Sequence, residues 1–200
     1  MRIGILGYQG GISEHNFIVR KTCHELNINC DVINVRKINE LDKIDGLIIP
    51  GGESTTITKL ANKQGLLEVI RDKGLEGLPM FGTCAGAIIL AKRVKDLKTG
   101  RKLMNTAGLL NIEVVRNYYG RQRESFELHV KIPILGDKPF RCIFIRAPAI
   151  TTVYPSVKSL AKYDEIHIMV QENSILATTF HPELTLDTRM HKYFIDLIKR

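Results

Sequence analysis

The chain has no tryptophan, and no apolar run nears the roughly 20 residues that a membrane-spanning helix requires. A membrane role is therefore not expected. It has no CxxC pair, and its four cysteines and six histidines nowhere take zinc-ligand spacing. Neither a metal nor a resident cofactor is expected. Internal repeats, low-complexity tracts and linkers are missing too, so residues 1–200 are read as one domain. The apolar part of the opening MRIGILGYQGG is too short for a secretory signal, and the chain reads as cytoplasmic. In a reducing compartment disulfides are not expected. Cys23 and Cys142 then read as small buried hydrophobes. Negative charge is also scarce, with 21 acidic against 29 basic residues. The positive excess is spread along the chain, densest in the loop-like KDLKTGRK (95–102), with no nucleic-acid motif or interleaved aromatics. Nucleic acid is not expected; an acidic protein surface suits that charge at least as well.

What is present alternates between two periods. RIGILGY (2–8), CDVINVRK (30–37), GLIIPGG (46–52) and LPMFGT (78–83) read as strands. Residues 12–26 carry Ile12, Phe17, Ile18, Cys23 and Leu26 at helical spacing, with Ser13 as N-cap. Residues 54–73 read as one or two helices broken at Gly65, with Ser54 as cap. AGAIILAKRV (85–94) reads as a third helix. This order predicts an α/β fold: a mostly parallel central sheet flanked by helices. In the second half LLNIEVVRN, FELHVKIPIL, FRCIFIR, EIHIMVQE and ILATTF follow one another with little helix between. They predict an antiparallel extension, closed by the amphipathic helix TRMHKYFIDLIKR (188–200).

Three stretches fall at predicted strand ends, where open α/β sheets bind ligands. FGTCAG (81–86) is a nucleophile elbow with cysteine as nucleophile. Its glycines leave room for a tight strand-to-helix turn. The helix N-terminus beyond favours the Cys84 thiolate, and the Ala85 N–H is a candidate oxyanion donor. In FHPEL, His181 follows a strand that Pro182 stops, and Glu183 is placed to fold back onto the imidazole. IIPGGEST (48–55) supplies a turn of exposed backbone N–H groups. His15, His24 and His191 fall on helical patterns, and His129 and His167 within strands, so all five have plain structural explanations. The combination describes cysteine acyl transfer on a small carbonyl compound.

These blocks resemble the class I, triad-type glutamine amidotransferases. With GILGYQGGISEH (4–15), GLIIPGGESTT (46–56), GTCAGAIILA (82–91), the RNxxGRQ block (116–122), FIRAPAI (144–150) and FHPELT (180–185), the chain is similar to the glutaminase subunits of pyridoxal 5′-phosphate synthase. The resemblance covers nearly the whole chain. It implies hydrolysis of L-glutamine to glutamate and ammonia for a separate synthase subunit, within a large hetero-oligomer. It implies Cys84 as nucleophile, His181 as base and acid, and Glu183 as orienting carboxylate. Gly52, Glu53, Ser54, Arg116, Ile145 and Arg146 would bind glutamine, Gly52 and Ala85 would form the oxyanion hole, and Gln9 would relay control. An arginine suits the α-carboxylate of glutamine and a carboxylate its ammonium; the sequence does not divide these tasks among Arg116, Arg146 and Glu53. An amidotransferase of another pathway would keep the triad but lack RNxxGRQ and FIRAP. A stand-alone cysteine hydrolase would cleave peptides or γ-glutamyl conjugates, and a mere scaffold would need no triad.

Overall fold

The computed structural model describes residues 1–97, 99–100, 105–119 and 125–200. The GRQ of the RNxxGRQ block and part of the basic stretch 95–102 lie outside them. The first half runs β1 (Arg2–Leu6), α1 (Ile12–Glu25), β2 (Asp31–Val35), α2 (Ile38–Leu41), β3 (Gly46–Ile49), α3 (Ser54–Lys63), α4 (Leu66–Leu75), β4 (Met80–Thr83) and α5 (Ala85–Leu90). Then come β5 (Ala91–Asp96), β6 (Leu110–Arg116), β7 (Ser125–Val130), β8 (Phe140–Ile145), β9 (Ala149–Val153), β10 (Lys158–Tyr163), β11 (Ile166–Glu172), β12 (Ile175–Thr178) and α6 (Arg189–Ile198).

Among the described residues, one sheet runs β2-β1-β3-β4-β12-β11-β9-β6-β5, with β10 also on β11 and β7-β8 a separate hairpin. The pairs from β2 to β12 are parallel; β12-β11, β11-β9 and β9-β6 are antiparallel. The central strands β3, β4 and β12 are buried along their whole length, as parallel strands covered on both faces must be. Alternation divides them. Leu47, Ile49 and Met80 face a core shared with α3, α4 and α5; Ile48 and Phe81 face one shared with α1, α6 and the β7-β8 hairpin. A fully buried side chain such as Phe81 contributes about 1.5–3 kcal/mol by leaving water.

Several local expectations change. Helix α5 ends at Leu90, and residues 91–96 continue as strand β5 beside β6. Pairing along that edge outweighs the helical propensity of AKRV. Strands β9 and β10 carry no signal strong enough to have been read. Phe17 is exposed, while His15, Ile18, Val19, Thr22 and Cys23 form the buried stripe of α1. Ser13 does not cap α1: Gly11 stands at its N-cap without a side-chain bond, and the Ser13 hydroxyl goes to Glu14. Glu53, not Ser54, caps α3, accepting from the Thr55 and Thr56 N–H groups at 3.1 and 2.6 Å. The break at Gly65 is confirmed; its φ of 66° separates α3 from α4. Cys23 and Cys30 are joined in a disulfide, against the expectation drawn from compartment. Chain geometry decides this: the last turn of α1 meets the start of β2, leaving the two Cα atoms 6.3 Å apart. Cys142 is a buried free thiol whose burial pushes its pKa up to about 12, in keeping with a packing role.

Candidate active site

Because β1, β3, β4 and β12 are parallel neighbours, their carboxyl ends open on one rim. Gln9, Gly52, Cys84 and His181 follow those four ends. Together with Glu53, Ser54, Ala85, Ile88, Arg116, Asn117, Ile145, Arg146 and Pro148 they line a cleft of about 370 Å³. Every residue read from the sequence as catalytic or glutamine-binding, except Glu183, faces this cleft; Glu183 lies behind His181.

Cys84 stands between β4 and α5 with φ 48°, a strained conformation for a residue with a side chain. Its N–H donates to the Thr178 carbonyl at 2.8 Å, and its Sγ lies 3.9 Å from the Ile145 carbonyl oxygen. The flanking glycines are required by contact. A Cβ on Gly82 would sit 2.6 Å from the Gly86 backbone, and one on Gly86 would sit 2.1 Å from the Ile49 carbonyl oxygen. Three of the six non-glycine residues with positive φ among the described residues, Cys84, Asn117 and Arg146, line the cleft.

His181 leaves β12 with its N–H on the Ile143 carbonyl at 2.8 Å. A short 3-10 turn, Pro182–Leu184, brings Glu183 back, and Glu183 Oε1 meets His181 Nδ1 at 2.7 Å. A Cβ on Gly51 would collide with both neighbours, 2.3 Å from His181 Cε1 and 3.2 Å from Cys84 Cβ. Only glycine therefore lets imidazole and thiol share this corner. Burial disfavours an imidazolium here, but Cys84 and Glu183 beside the ring outweigh it and push His181 up to about 10. Burial also works against the Glu183 carboxylate; the hydrogen bond to His181 and the charge of that ring overcome it, and its pKa falls below the ordinary value.

The sign follows from linkage. With a raised folded-state pKa, the protonated His181 stabilises the fold fully below its ordinary value of 6.5 and loses that contribution as pH rises towards about 10. A histidine titration followed by NMR should thus find His181 cationic throughout the neutral range, and Cys84→Ala should lower its midpoint. A wild-type midpoint near 6.5 would contradict this arrangement.

The glycine turn is held on both sides. The Gly51 N–H donates to Thr83 Oγ1 at 2.9 Å, and the Gly51 carbonyl accepts from the Gly11 N–H at 3.1 Å. The Gly51 N–H is thus committed, and of the Gly51-Gly52 pair only the Gly52 N–H is left as an oxyanion candidate. The trans peptide directs it away from α1. Gln9 Oε1 accepts from the Glu53 N–H at 2.7 Å, joining the end of β1 to the same turn. Glu53 bonds Arg116 Nη2 at 3.3 Å, and Asp96 stands 3.9 Å from Arg116 Nη1, so the guanidinium is fixed at the cleft wall.

In the sequence His15 and His191 read as plain structural histidines, and Thr83 is not singled out. All three are fully buried, and His15 lies 3.5 Å from Glu183. The signal available was a histidine on the buried stripe of α1, where an apolar residue would ordinarily stand.

The cleft thus brings a cysteine at a strand-to-helix elbow together with a histidine bonded to a carboxylate from the turn after β12. Residues 5–200 match the model of the SNO glutamine amidotransferase family. The chain is 52% identical to the pyridoxal 5′-phosphate synthase subunit PdxT of Staphylothermus marinus, covering 99% of this chain and 98% of that one. It is 47% identical over the whole of both chains to the subunit of the same name from Saccharolobus islandicus. A crystal structure of a glutamine amidotransferase superposes with a TM-score of 0.84 at 39% identity, covering 99% of each chain. The chain belongs to the SNO glutamine amidotransferase family.

Proposed function

We propose that this chain hydrolyses L-glutamine to L-glutamate and ammonia at the Cys84–His181–Glu183 cleft, and delivers the ammonia to a synthase subunit that makes pyridoxal 5′-phosphate. The observation that carries this reading is that His181 and Cys84 crowd the same Gly51 corner, with Glu183 bonded to the ring, at the rim where Arg116 and the glycine turn also face.

With its proton passed to His181, the sulfur of Cys84 adds to the side-chain carboxamide carbon of glutamine. The oxyanion lies against the N–H groups of Gly52 and Ala85. His181 gives its proton to the nitrogen, the C–N bond breaks, and ammonia leaves a γ-glutamyl thioester. Water, losing a proton to His181, attacks the thioester carbon; the C–S bond breaks, and glutamate departs. Glu183 holds the His181 tautomer throughout. Arg116, preset by Glu53 and Asp96, takes the α-carboxylate, while Glu53, Ser54, Ile145 and Arg146 complete the glutamine site.

The turn bearing Gly52 is tied to Gln9, so a docked synthase that moves the end of β1 would reset an oxyanion donor worth about 3–4 kcal/mol. The basic surface suits such a partner in a hetero-oligomer. Glutamate release should therefore rise at least about tenfold when the synthase is added. Equal rates with and without the synthase would remove this control, and no release from either would remove the glutaminase reading.

A further inference from the structure

Behind the triad lies a buried polar chain that the proposed reaction does not use. His15 Nε2 lies 3.1 Å from Thr83 Oγ1 and 3.5 Å from Glu183 Oε2. His15 Nδ1 lies 3.2 Å from His191 Nε2, which α6 brings in from the far end of the chain. Thr83 Oγ1 in turn receives the Gly51 N–H. Glu183 Oε2 is buried and, among the described residues, makes no hydrogen bond of standard geometry; His191 Nδ1 is in the same position. His15 Nε2 is the polar group poised over that carboxylate oxygen.

The protons in this chain can be counted. Burial pushes His15 down, and pushes His191 down to about 3, so both rings are neutral and each carries one N–H. The two nitrogens 3.2 Å apart need one donor and one acceptor. If His15 carried its proton on Nδ1, His191 would have to keep its own on Nδ1, a buried donor with no partner. The bare Nε2 of His15 could accept from the Thr83 hydroxyl, but it would also turn its lone pair to a carboxylate oxygen. Both arrangements are costly. With the proton on His15 Nε2, His191 donates from Nε2, and His15 donates towards Thr83 and Glu183. What remains unpaired is one nitrogen lone pair on His191 and the Thr83 hydroxyl proton, and against these stands a charge-assisted contact from His15 to the buried Glu183 oxygen.

We propose that His15 is a positioning residue of the catalytic centre: as the Nε2–H tautomer, set by His191, it braces Glu183 and, through Thr83, the glycine turn. One helix then holds both halves of the machinery. The N-terminus of α1 fixes the Gly51 carbonyl through the Gly11 N–H, and its first turn carries the ring that fixes Glu183 and Thr83. The 3.5 Å contact to Glu183 is long for a hydrogen bond, so the ring acts on that carboxylate as a nearby dipole rather than through a tight bond.

This inference rests on the glutaminase reading, and the test separates the two. His15→Leu, His15→Gln and His191→Phe are assayed for glutamate release in complex with the synthase, beside wild type. His15→Leu should lower kcat about 10–100-fold with KM nearly unchanged. His15→Gln, whose amide can present an N–H close to the lost Nε2–H, should recover most of that loss at the same thermal midpoint. His191→Phe should fall between. Long-range ¹H–¹⁵N spectra of the wild type should show His15 protonated on Nε2 alone. Undiminished kcat in His15→Leu, no recovery with Gln, or an Nδ1-protonated His15 each overturns the proposal. An inactive wild type overturns the glutaminase reading instead, and the spectra still decide the tautomer.

Discussion

Cys84→Ala should lower glutamine hydrolysis by the intact complex on the order of 10⁶-fold in kcat, the loss seen when a triad nucleophile is removed. Among the described residues no second thiol stands at the rim. Cys142, the other free cysteine, is fully buried in β8, and Cys23 and Cys30 are joined to each other. Ala keeps the small Cβ that the corner between Gly51 and His181 already accommodates, so the variant should stay folded. The complex should also still make its product when ammonium salt replaces glutamine, because only the ammonia supply is cut. Cys84→Ser should be nearly as inactive, since a hydroxyl holds its proton far more tightly than a thiol. Glutamate release at the wild-type rate from Cys84→Ala would end the assignment of the nucleophile.

The second large effect falls on Glu183. Glu183→Gln should reduce kcat about 10⁴-fold with KM little changed, the size found when an orienting carboxylate becomes an amide. The 2.7 Å contact between Glu183 Oε1 and His181 Nδ1 stabilises the imidazolium by charge and selects the tautomer that leaves Nε2 for Cys84. An amide can supply an oxygen acceptor but not the charge. If it turns its NH₂ to the ring, it selects the wrong tautomer. The His181 midpoint should fall in the same variant, since Glu183 is among the groups that raise it. A loss in kcat below about tenfold would show that Glu183 merely packs.

Much of this was legible before any coordinates. The runs GLII, MFGT and ILAT are nearly all apolar or small and buried throughout because parallel strands are covered on both faces, and each leads to a residue of the cleft. Gly82, Cys84 and Gly86 signal the elbow because only glycine tolerates those approaches. Local pattern failed where distant chain decides. AKRV is helix by propensity and strand by pairing with β6. Ser54 had the composition of a cap, but Glu53, one residue earlier, takes the Thr55 and Thr56 N–H groups and also pairs with the distant Arg116. Cys23 and Cys30 pair through the crossing of α1 onto β2.

By itself the sequence determined the chemistry: a thiol on a glycine-flanked corner, an imidazole stopped by proline, a carboxylate two residues on. Those are short-range facts of sterics and ionisation, complete within a few residues. Only the tertiary structure decided what stands behind that chemistry. His15 and His191 are 176 positions apart and 3.2 Å from one another, and no periodicity encodes such a meeting. It arises because α1 and α6 are packed on the same face of one twisted sheet, where a buried polar atom must find its partner in whatever chain the topology brings alongside.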